Sequence, residues 1–176
     1  MLYVQQSLGP DEELVHVGKF HWMYTVNAFL SIVWGFVLAI IIMFAAYYGY
    51  KMMGKLPGDA GFSKIIQTIH PGIRALSFLM FIMGLVKFAQ MMVVKATTEI
   101  AITNNRLIYK RGLVARHVGE INIDRIEGCN VLQPILGRIF NYGRVLIRGM
   151  GVGEVTLPPL EDPISFRRAI EEAKSR

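Results

Sequence analysis

Basic side chains in the second half of the chain are the residues best suited to binding chemistry. Arginine presents a planar guanidinium group that can bind a phosphate or a carboxylate through two parallel hydrogen bonds. On a strand, Arg144 and Arg148 would share a face, because side chains alternate between the two sides. The sequence therefore predicts a surface for an anionic lipid or a protein partner, with solvated surface charge as the alternative. Its candidate members are Lys110, Arg111, Arg116, Arg125, Arg138, Arg144 and Arg148.

Residue types that support catalysis or metal binding do not occur in a recognisable pattern. Histidines 16, 21, 70 and 117 are scattered, and the one cysteine, Cys129, cannot form an internal disulfide. Cys129 lies in an alternating apolar run, which favours a buried small hydrophobic role. The glycine-rich stretch 149–153 is not followed by a helix start that would bind phosphate. We expect no catalytic residues, no cofactor and no metal, and therefore no enzyme.

The charge balance argues against a nucleic-acid-binding protein. There are 19 lysines and arginines against 13 aspartates and glutamates, a formal net charge of +6. These basic residues form neither a continuous run nor one helix rich in them, as nucleic-acid recognition usually requires. The positive charge would instead be explained by the ordinary basic bias of proteins at a cytoplasmic leaflet, or by a surface that attracts anionic lipid.

Two long apolar segments predict a helical hairpin in a membrane. Hydrophobic residues make up 53% of the chain and charged residues 18%, and the apolar excess lies before residue 95. Residues 28–48 and 75–94 are each about long enough to cross a bilayer core, which takes roughly 20 helical residues. Tyrosines and tryptophan flank the first span, as expected at lipid–water interfaces. We predict a leader and hairpin over residues 1–95 and a second domain over 96–176.

The segment before the first span is not typical of a cleaved signal peptide, because it carries Asp11, Glu12 and Glu13. Two spans would place both ends of a multi-pass protein on the same side of the cell membrane. The distribution of lysine and arginine favours a cytoplasmic second domain. Lys87 lies inside the second span, where it either extends to the interface or marks a functional site.

Small residues recur on one face of each predicted span. Ser31, Gly35 and Ala39 are four residues apart in the first span, and Ser77 and Gly84 are seven apart in the second. Small side chains allow helix backbones to approach closely in lipid. These faces are predicted to pack the hairpin together or to contact a neighbouring subunit.

After residue 95 the pattern changes to short alternating runs separated by turns, which is typical of β-structure. A helix then follows, with Asp162 as its N-cap and Pro163 at its first position. The expected fold class is an α+β membrane protein, in which a two-helix hairpin precedes a β-barrel or sandwich closed by a C-terminal helix. The predicted strands cover residues 98–103, 106–110, 117–123, 126–132, 143–148 and 154–157.

This arrangement resembles the pleckstrin-homology (PH) superfold, and specific motifs resemble the bacterial PH-like domain family of small membrane proteins. The motifs are the hairpin Thr103–Arg106, the turn at Gly112-Leu113, the paired strands around Ile121 and Ile126, the block 133–143 (QPILGRIFNYG), and Asp162-Pro163 with Phe166. The leader also fits, with acidic Glu12 and Glu13 before His16, His21 and Trp22. In block 133–143, Ile135, Leu136, Ile139 and Phe140 are expected to pack onto the barrel mouth. The resemblance implies fold and membrane location but little about chemistry.

The leading functional hypothesis is a non-catalytic, membrane-anchored interaction or scaffold protein of the bacterial inner membrane. It would bind its own copies or other membrane-protein subunits, in contact with membrane lipids. One alternative is an accessory subunit of a respiratory, transport or secretion complex. A second is a module that binds anionic lipid through the basic surface. A third, a membrane enzyme or transporter, would rest on Lys87 alone.

Overall fold

The computed structural model describes residues 2–56, 61–112, 117–150 and 153–175, and it divides into two compact units. The first unit consists of Met1–Tyr24 and Val93–Arg176, and we call it the split domain. The second consists of Thr25–Met92, and we call it the helical hairpin. In sequence, the hairpin is therefore an insertion into the split domain.

The elements alternate between short strands and helices of very different lengths. In chain order they are α1 (Leu2–Ser7), β1 (Leu14–Gly18), α2 (Trp22–Met52), α3 (Phe62–Thr68), α4 (Pro71–Thr97), β2 (Glu99–Thr103), β3 (Arg106–Arg111), β4 (His117–Asn122), a 3₁₀ turn (Ile123–Arg125), β5 (Ile126–Leu132), α5 (Ile135–Ile139), β6 (Tyr142–Gly149), β7 (Gly153–Thr156), β8 (Leu160–Glu161) and α6 (Pro163–Ser175). All six strands predicted from the sequence are present, within two residues at each end.

The split domain contains two open antiparallel sheets. The first has the strand order β1-β2-β3-β4, and the second has the order β5-β6-β7 with β8 also paired to β6. The sequence left two alternatives, a barrel and a sandwich. The barrel is wrong, since no ladder among the described strands joins the two sheets, whereas two open sheets over one core agree with the sandwich. The chain leaves β4 through the 3₁₀ turn and starts a separate sheet at Ile126. The two sheets are held together by side-chain packing in a shared core and by an isolated bridge between Phe20 and Leu160, rather than by a continuous ladder.

One hydrophobic core lies between the two sheets and α6. The buried face of α6 consists of Phe166, Ala169, Ile170 and Ala173, spaced at three and four residues as an amphipathic helix requires. These side chains pack with residues of both sheets, such as Ile102 of the first and Ile147 of the second. Helix α6 therefore covers the core that the two sheets share.

The leader is part of the split domain, which differs from the predicted boundary at residue 95. Strand β1 pairs with β2 in antiparallel register, with Val17 opposite Ala101 and Gly18 opposite Ile100. A Cβ atom at Gly18 would lie 3.0 Å from the Ile100 side chain and 3.1 Å from the Phe166 ring, so a larger residue would require these side chains to shift. The sequence did not reveal β1, because five residues with weak alternation resemble a linker as much as a strand.

A charged cluster, which we call the leader clamp, fixes the segment before β1. The guanidinium of Arg106 donates from Nε and Nη2 to the two carboxylate oxygens of Glu12, at 2.9 and 2.8 Å. Arg106 also donates from Nη1 to Glu120 at 2.7 Å, and the Thr103 hydroxyl donates to Glu12 at 2.7 Å. The Glu12 side chain is 5% exposed. The β2–β3 turn thus holds the leader through a nearly buried ion pair.

The electrostatics of the leader clamp favour an ionised Glu12. Burial alone would raise the pKa of this carboxyl, but the hydrogen bonds from Arg106, the Gly9 N–H and Thr103 outweigh it. With the charge of Arg106 they lower the pKa of Glu12 from 4.5 to about 2. Because the carboxylate is both buried and paired, loss of its charge would leave Arg106 without its main partner.

A second contact fixes helix α1 to the same sheet. The Glu99 carboxylate accepts hydrogen bonds from the N–H groups of Tyr3 and Val4, each at 3.2 Å. Lys110 lies 3.5 Å from the same carboxylate and stacks over the Tyr3 ring at 5.0 Å. Burial would raise the pKa of Glu99, but the Val4 N–H and the charge of Lys110 lower it overall. Val4 is buried against Ala101 and Ile108.

The helical hairpin consists of α2, α3 and α4. Helices α2 and α4 have 31 and 27 residues, and both are long and apolar enough to cross a membrane. They contain the predicted spans 28–48 and 75–94 entirely. Helix α3 lies in the connection between the two long helices, and the His70 N–H after it donates to the Tyr50 hydroxyl at 3.1 Å.

The leader clamp predicts a specific dependence of stability on pH. Because the pKa of Glu12 is lower in the folded state than its usual 4.5, its contribution is complete above pH 4.5. The contribution is lost as the pH falls from 4.5 towards 2, and it amounts to about 3 kcal/mol. We expect Glu12→Gln to destabilise the full-length protein at pH 7, measured by denaturant unfolding in detergent micelles, and to flatten this acid slope.

The matched control is Glu154→Gln, which breaks the exposed pair between Arg148 and Glu154. That pair is 64% and 47% exposed, so its loss should cost less than about 1 kcal/mol. Glu99 and Asp162 also have lowered pKa values and contribute to the wild-type slope, so the comparison between variants isolates Glu12. An acid slope that is the same in wild type and Glu12→Gln would contradict the assignment.

Candidate functional site

A small basic cavity in the split domain is the first candidate site, and we call it the arginine pocket. It has a volume of about 220 Å³. Its polar lining comes from Arg111 and Arg144 together with Tyr24, Tyr109 and Thr156. The rest of the wall is Val94, Leu157, Pro158 and Pro159. All nine residues belong to the split domain.

Strand geometry explains how these residues meet. Tyr109 and Arg111 are two apart on β3, so they point to the same side of the first sheet. Arg144 lies on the outward face of β6, where exposed and buried residues alternate. Arg148 shares that face, as predicted from the spacing. The pocket therefore combines one arginine from each sheet.

The predicted basic residues do not form a single surface. Lys110 is bound to Glu99, and Arg148 pairs with Glu154 at 3.3 Å. Arg125 and Arg138 are exposed at other positions, and Arg116 lies outside the described residues. Within the described parts of the chain, neither Arg111 nor Arg144 forms an ion pair. Two of the seven predicted residues are thus brought together without a counter-charge.

An exposed apolar face around α5 is the second candidate site, and we call it the α5 face. Its members are Leu132 at 53%, Ile135 at 81%, Leu136 at 53%, Ile139 at 68% and Phe140 at 43% exposure. The prediction that these side chains pack onto a barrel mouth is wrong. Gly137 is the residue of α5 that faces inward, against Pro134 and the Tyr142 carbonyl. The large side chains consequently point away from the core.

The surroundings of the α5 face give it shape. A cleft of about 480 Å³ lies beside it, lined by Leu132, Arg138, Ile164 and Arg167 among others. On another side, the Phe140 ring contacts Trp22 edge-on at 5.7 Å, and Tyr142 stacks on the buried His21 ring at 5.1 Å. The aromatic contacts fix the end of the α5 segment against the start of α2. These contacts fix the position of the α5 face on the domain.

The predicted helix-packing residues meet inside the helical hairpin. The Ser31 hydroxyl lies 3.2 Å from the Gly84 carbonyl oxygen, and the Ser77 hydroxyl donates to the Ala39 carbonyl at 2.9 Å. A Cβ atom added to Gly35 would lie 3.0 Å from the Gly84 Cα. The two backbones are thus in close contact at the glycines. Lys87 is exposed on α4.

No group of three or more histidine, cysteine or acidic side chains that could hold a metal occurs among residues 2–56, 61–112, 117–150 and 153–175. Cys129 is half-buried and packs against the core of the split domain. Burial raises the pKa of the Cys129 thiol to about 11. The thiol therefore stays protonated at neutral pH and is a weak nucleophile.

Sequence reasoning missed the tyrosines and Thr156 in the arginine pocket. The spacing of Tyr109 and Arg111 could have paired them on one face, but the arrival of Arg144 from the other sheet has no local signal. It also missed the role of Arg106, because a single arginine after a turn does not reveal its partner 94 residues away. The acidic leader of the family resemblance was the available clue.

Comparison with known proteins gives one match. Residues 14–174 match the family described as "Bacterial PH domain". The matched range begins at the first residue of β1 and reaches the last turn of α6, so it includes the inserted hairpin. No curated protein and no solved structure gives a match.

The close helix contact predicts that Gly84→Ala destabilises the hairpin. A Cβ atom there would lie 2.7 Å from the Ser31 carbonyl oxygen, so the helices must move apart at a cost of about 1–3 kcal/mol. The control is Gly49→Ala in α2, where a Cβ atom meets nothing within 4 Å and alanine favours the helix. The measurement is the thermal midpoint in detergent micelles. Equal midpoints for the two variants would contradict the contact.

Proposed function

The chain belongs to the bacterial PH domain family, and on that premise we propose that it is a non-catalytic, membrane-anchored interaction protein. The helical hairpin would anchor it in the cell membrane. The split domain would bind another membrane-protein subunit or a second copy of the chain through the α5 face. The exposed α5 face is the single observation that carries this proposal.

The membrane anchor is supported by the direction of the hairpin side chains. Trp34 and Phe44 of α2 and Phe78 of α4 are 63%, 60% and 65% exposed. A helix buried in a soluble core would hide such side chains, whereas a lipid environment accepts them. With two spans the termini lie on one side, and the lysine and arginine distribution favours the cytoplasm.

The protein contact is supported by the size and composition of the α5 face. Five large apolar side chains are exposed together, with a cleft beside them. Contiguous exposed apolar surface of this kind marks interaction sites in folded proteins. The cleft also carries Arg138 and Arg167 at its edge, and arginine is enriched in protein interfaces. If the partner is another protein, the chain would act as an accessory subunit of a larger complex.

The absence of catalysis is proposed from the state of the acidic groups and the thiol. Hydrogen bonds and ion pairs lower the pKa values of Glu12 and Glu99, so both carboxylates are ionised and fixed at neutral pH. A general acid or base works best with a pKa near the operating pH. The protonated Cys129 thiol is equally unsuited to nucleophilic attack.

The proposed contact predicts that Ile135→Asp combined with Ile139→Asp breaks the assembly. We expect the recovery of a partner or of oligomers to fall about tenfold or more, because each change places a charge in a buried contact. The measurement is affinity purification of the tagged full-length protein in nanodiscs, followed by native mass spectrometry. This identifies either a partner subunit or the number of copies.

Val118→Asp is the control, since Val118 is 38% exposed on β4 of the first sheet, whereas α5 connects β5 and β6 of the second. This variant should keep the wild-type assembly. The proposal fails if the wild-type chain is recovered alone as a monomer. It also fails if the α5 variant and the control assemble equally well.

A further inference from the structure

We propose that the arginine pocket is a binding site for a phosphate group carried by an anionic membrane lipid. The site consists of Arg111 and Arg144 as charged donors and Tyr24, Tyr109 and Thr156 as hydroxyl donors. The site adjoins the α5 face, because Arg144 lies opposite Leu132 in the β5–β6 ladder. Ile135 and Ile139, which the assembly test changes, are not among the described residues that line the pocket.

The first argument is the unbalanced charge of the pocket. Arg106, Arg148 and Arg167 each have a carboxylate partner. In the described part of the chain, Arg111 and Arg144 have none, although they come from different sheets to one cavity. Both side chains are exposed at this cavity, and their positive charges together attract an anion. The pocket is therefore an electrostatic site for a ligand with negative charge.

The second argument is the chemistry of the remaining wall. Tyrosine and threonine hydroxyls can donate hydrogen bonds to phosphate oxygens, and the guanidinium forks match phosphate geometry. Among the described residues, no carboxylate lines the pocket to repel an anion. Pro158 and Pro159 have no N–H and present apolar rings together with Leu157. One wall thus suits a charged headgroup and the other suits the carbon atoms attached to it.

The third argument is the position of the pocket along the chain. Tyr24 is the third residue of α2, shortly before the apolar span 28–48, and Val94 is the last residue of the apolar span 75–94. The ends of both spans therefore contribute to the wall. Span ends lie at the depth of lipid headgroups, where tyrosine is enriched. The volume of about 220 Å³ fits a phosphate and a small substituent rather than a large soluble ligand.

The lipid source rests on the proposed membrane anchor, whereas the phosphate chemistry of the pocket does not. An anionic leaflet attracts basic groups near its surface, and this attraction weakens with added salt. A free phosphate ester in the cytoplasm offers the same group without the bilayer. The two sources are distinguished by which probe the full-length protein binds.

The test uses the full-length protein in nanodiscs of phosphatidylcholine containing a small fraction of phosphatidylglycerol. Native mass spectrometry counts the phosphatidylglycerol molecules retained by the wild type and by Arg111→Gln/Arg144→Gln. We expect retention to fall about tenfold in the pocket variant, equivalent to about 1.4 kcal/mol. The charge-matched control is Arg125→Gln/Arg168→Gln, in which two exposed arginines outside the pocket are changed. It should change retention less than about twofold, as expected for distant screened charges.

A second variant, Arg111→Lys/Arg144→Lys, keeps the charge but loses the two-pronged geometry. It should retain an intermediate amount of lipid, which separates recognition by shape from simple attraction. Glycerol 3-phosphate added in solution to protein in pure phosphatidylcholine nanodiscs is the soluble probe. Weak binding of this probe supports a lipid ligand, and binding as tight as that of phosphatidylglycerol assigns the pocket to a free phosphate ester. Equal loss of lipid in the pocket and control variants would overturn the site, and so would failure of both probes to bind.

Two further readouts separate this inference from the proposed function. The Ile135→Asp/Ile139→Asp variant should retain phosphatidylglycerol like the wild type while losing its assembly. Alkaline carbonate treatment should leave the chain in the membrane pellet. Release by carbonate would contradict both the membrane anchor and the lipid source of the phosphate. Even then, the pocket variants would show whether glycerol 3-phosphate binds at Arg111 and Arg144.

Discussion

The contact between Arg106 and Glu12 is the interaction on which the rest of the structure depends. It joins a turn in the middle of the chain to a segment before the first long helix, across 94 residues. The carboxylate is nearly buried and accepts hydrogen bonds from both Nε and Nη2 of the guanidinium, so the pair is fixed in one relative orientation. That geometry places the leader where β1 can pair with β2, and β1 completes the first sheet. The inserted hairpin therefore begins and ends on neighbouring strands.

The same charge pairing decides which basic residues remain available. Glu12, Glu99 and Glu154 engage Arg106, Lys110 and Arg148, so these cations hold the domain together or are balanced on its surface. Among the described residues, Arg111 and Arg144 have no carboxylate partner, and they line a cavity together with three hydroxyl groups. The apolar residues likewise divide into those that stabilise the core and those that remain exposed. Helix α6 covers the core, while Gly137 turns the large side chains of α5 outward.

Much of the fold could be predicted from local signals. The strands after residue 98 alternate clearly, and Asp162 and Pro163 mark the start of α6. The spacing of small residues within each span, such as Ser31 with Gly35 and Ser77 with Gly84, predicted a close helix contact. Interactions between distant segments were not predictable in this way. The short strand β1 has a weak pattern of its own and is defined by β2 and the leader clamp. The apolar residues of α5 look like core residues in the sequence, because exposure depends on the inward position of one glycine.

The candidate sites show the same limit. The sequence identifies seven basic residues, but only the structure separates those bound to Glu99 and Glu154 from those in the arginine pocket. Charge pairing across sheets depends on tertiary register, which a single sequence does not specify. The family match runs from residue 14 to 174 and so spans β1, the hairpin and the later strands together.

Hydrogen–deuterium exchange of the full-length protein in nanodiscs tests the split domain most directly. The inward-facing amides of Leu14–Gly18 should exchange slowly and together with those of β2, since the two strands form one ladder. An edge strand keeps its outward amides exposed, so partial protection of this peptide is the expected result. Exchange of all amides of residues 14–18 at the rate of an unstructured peptide, with β2–β7 still protected, would contradict the account.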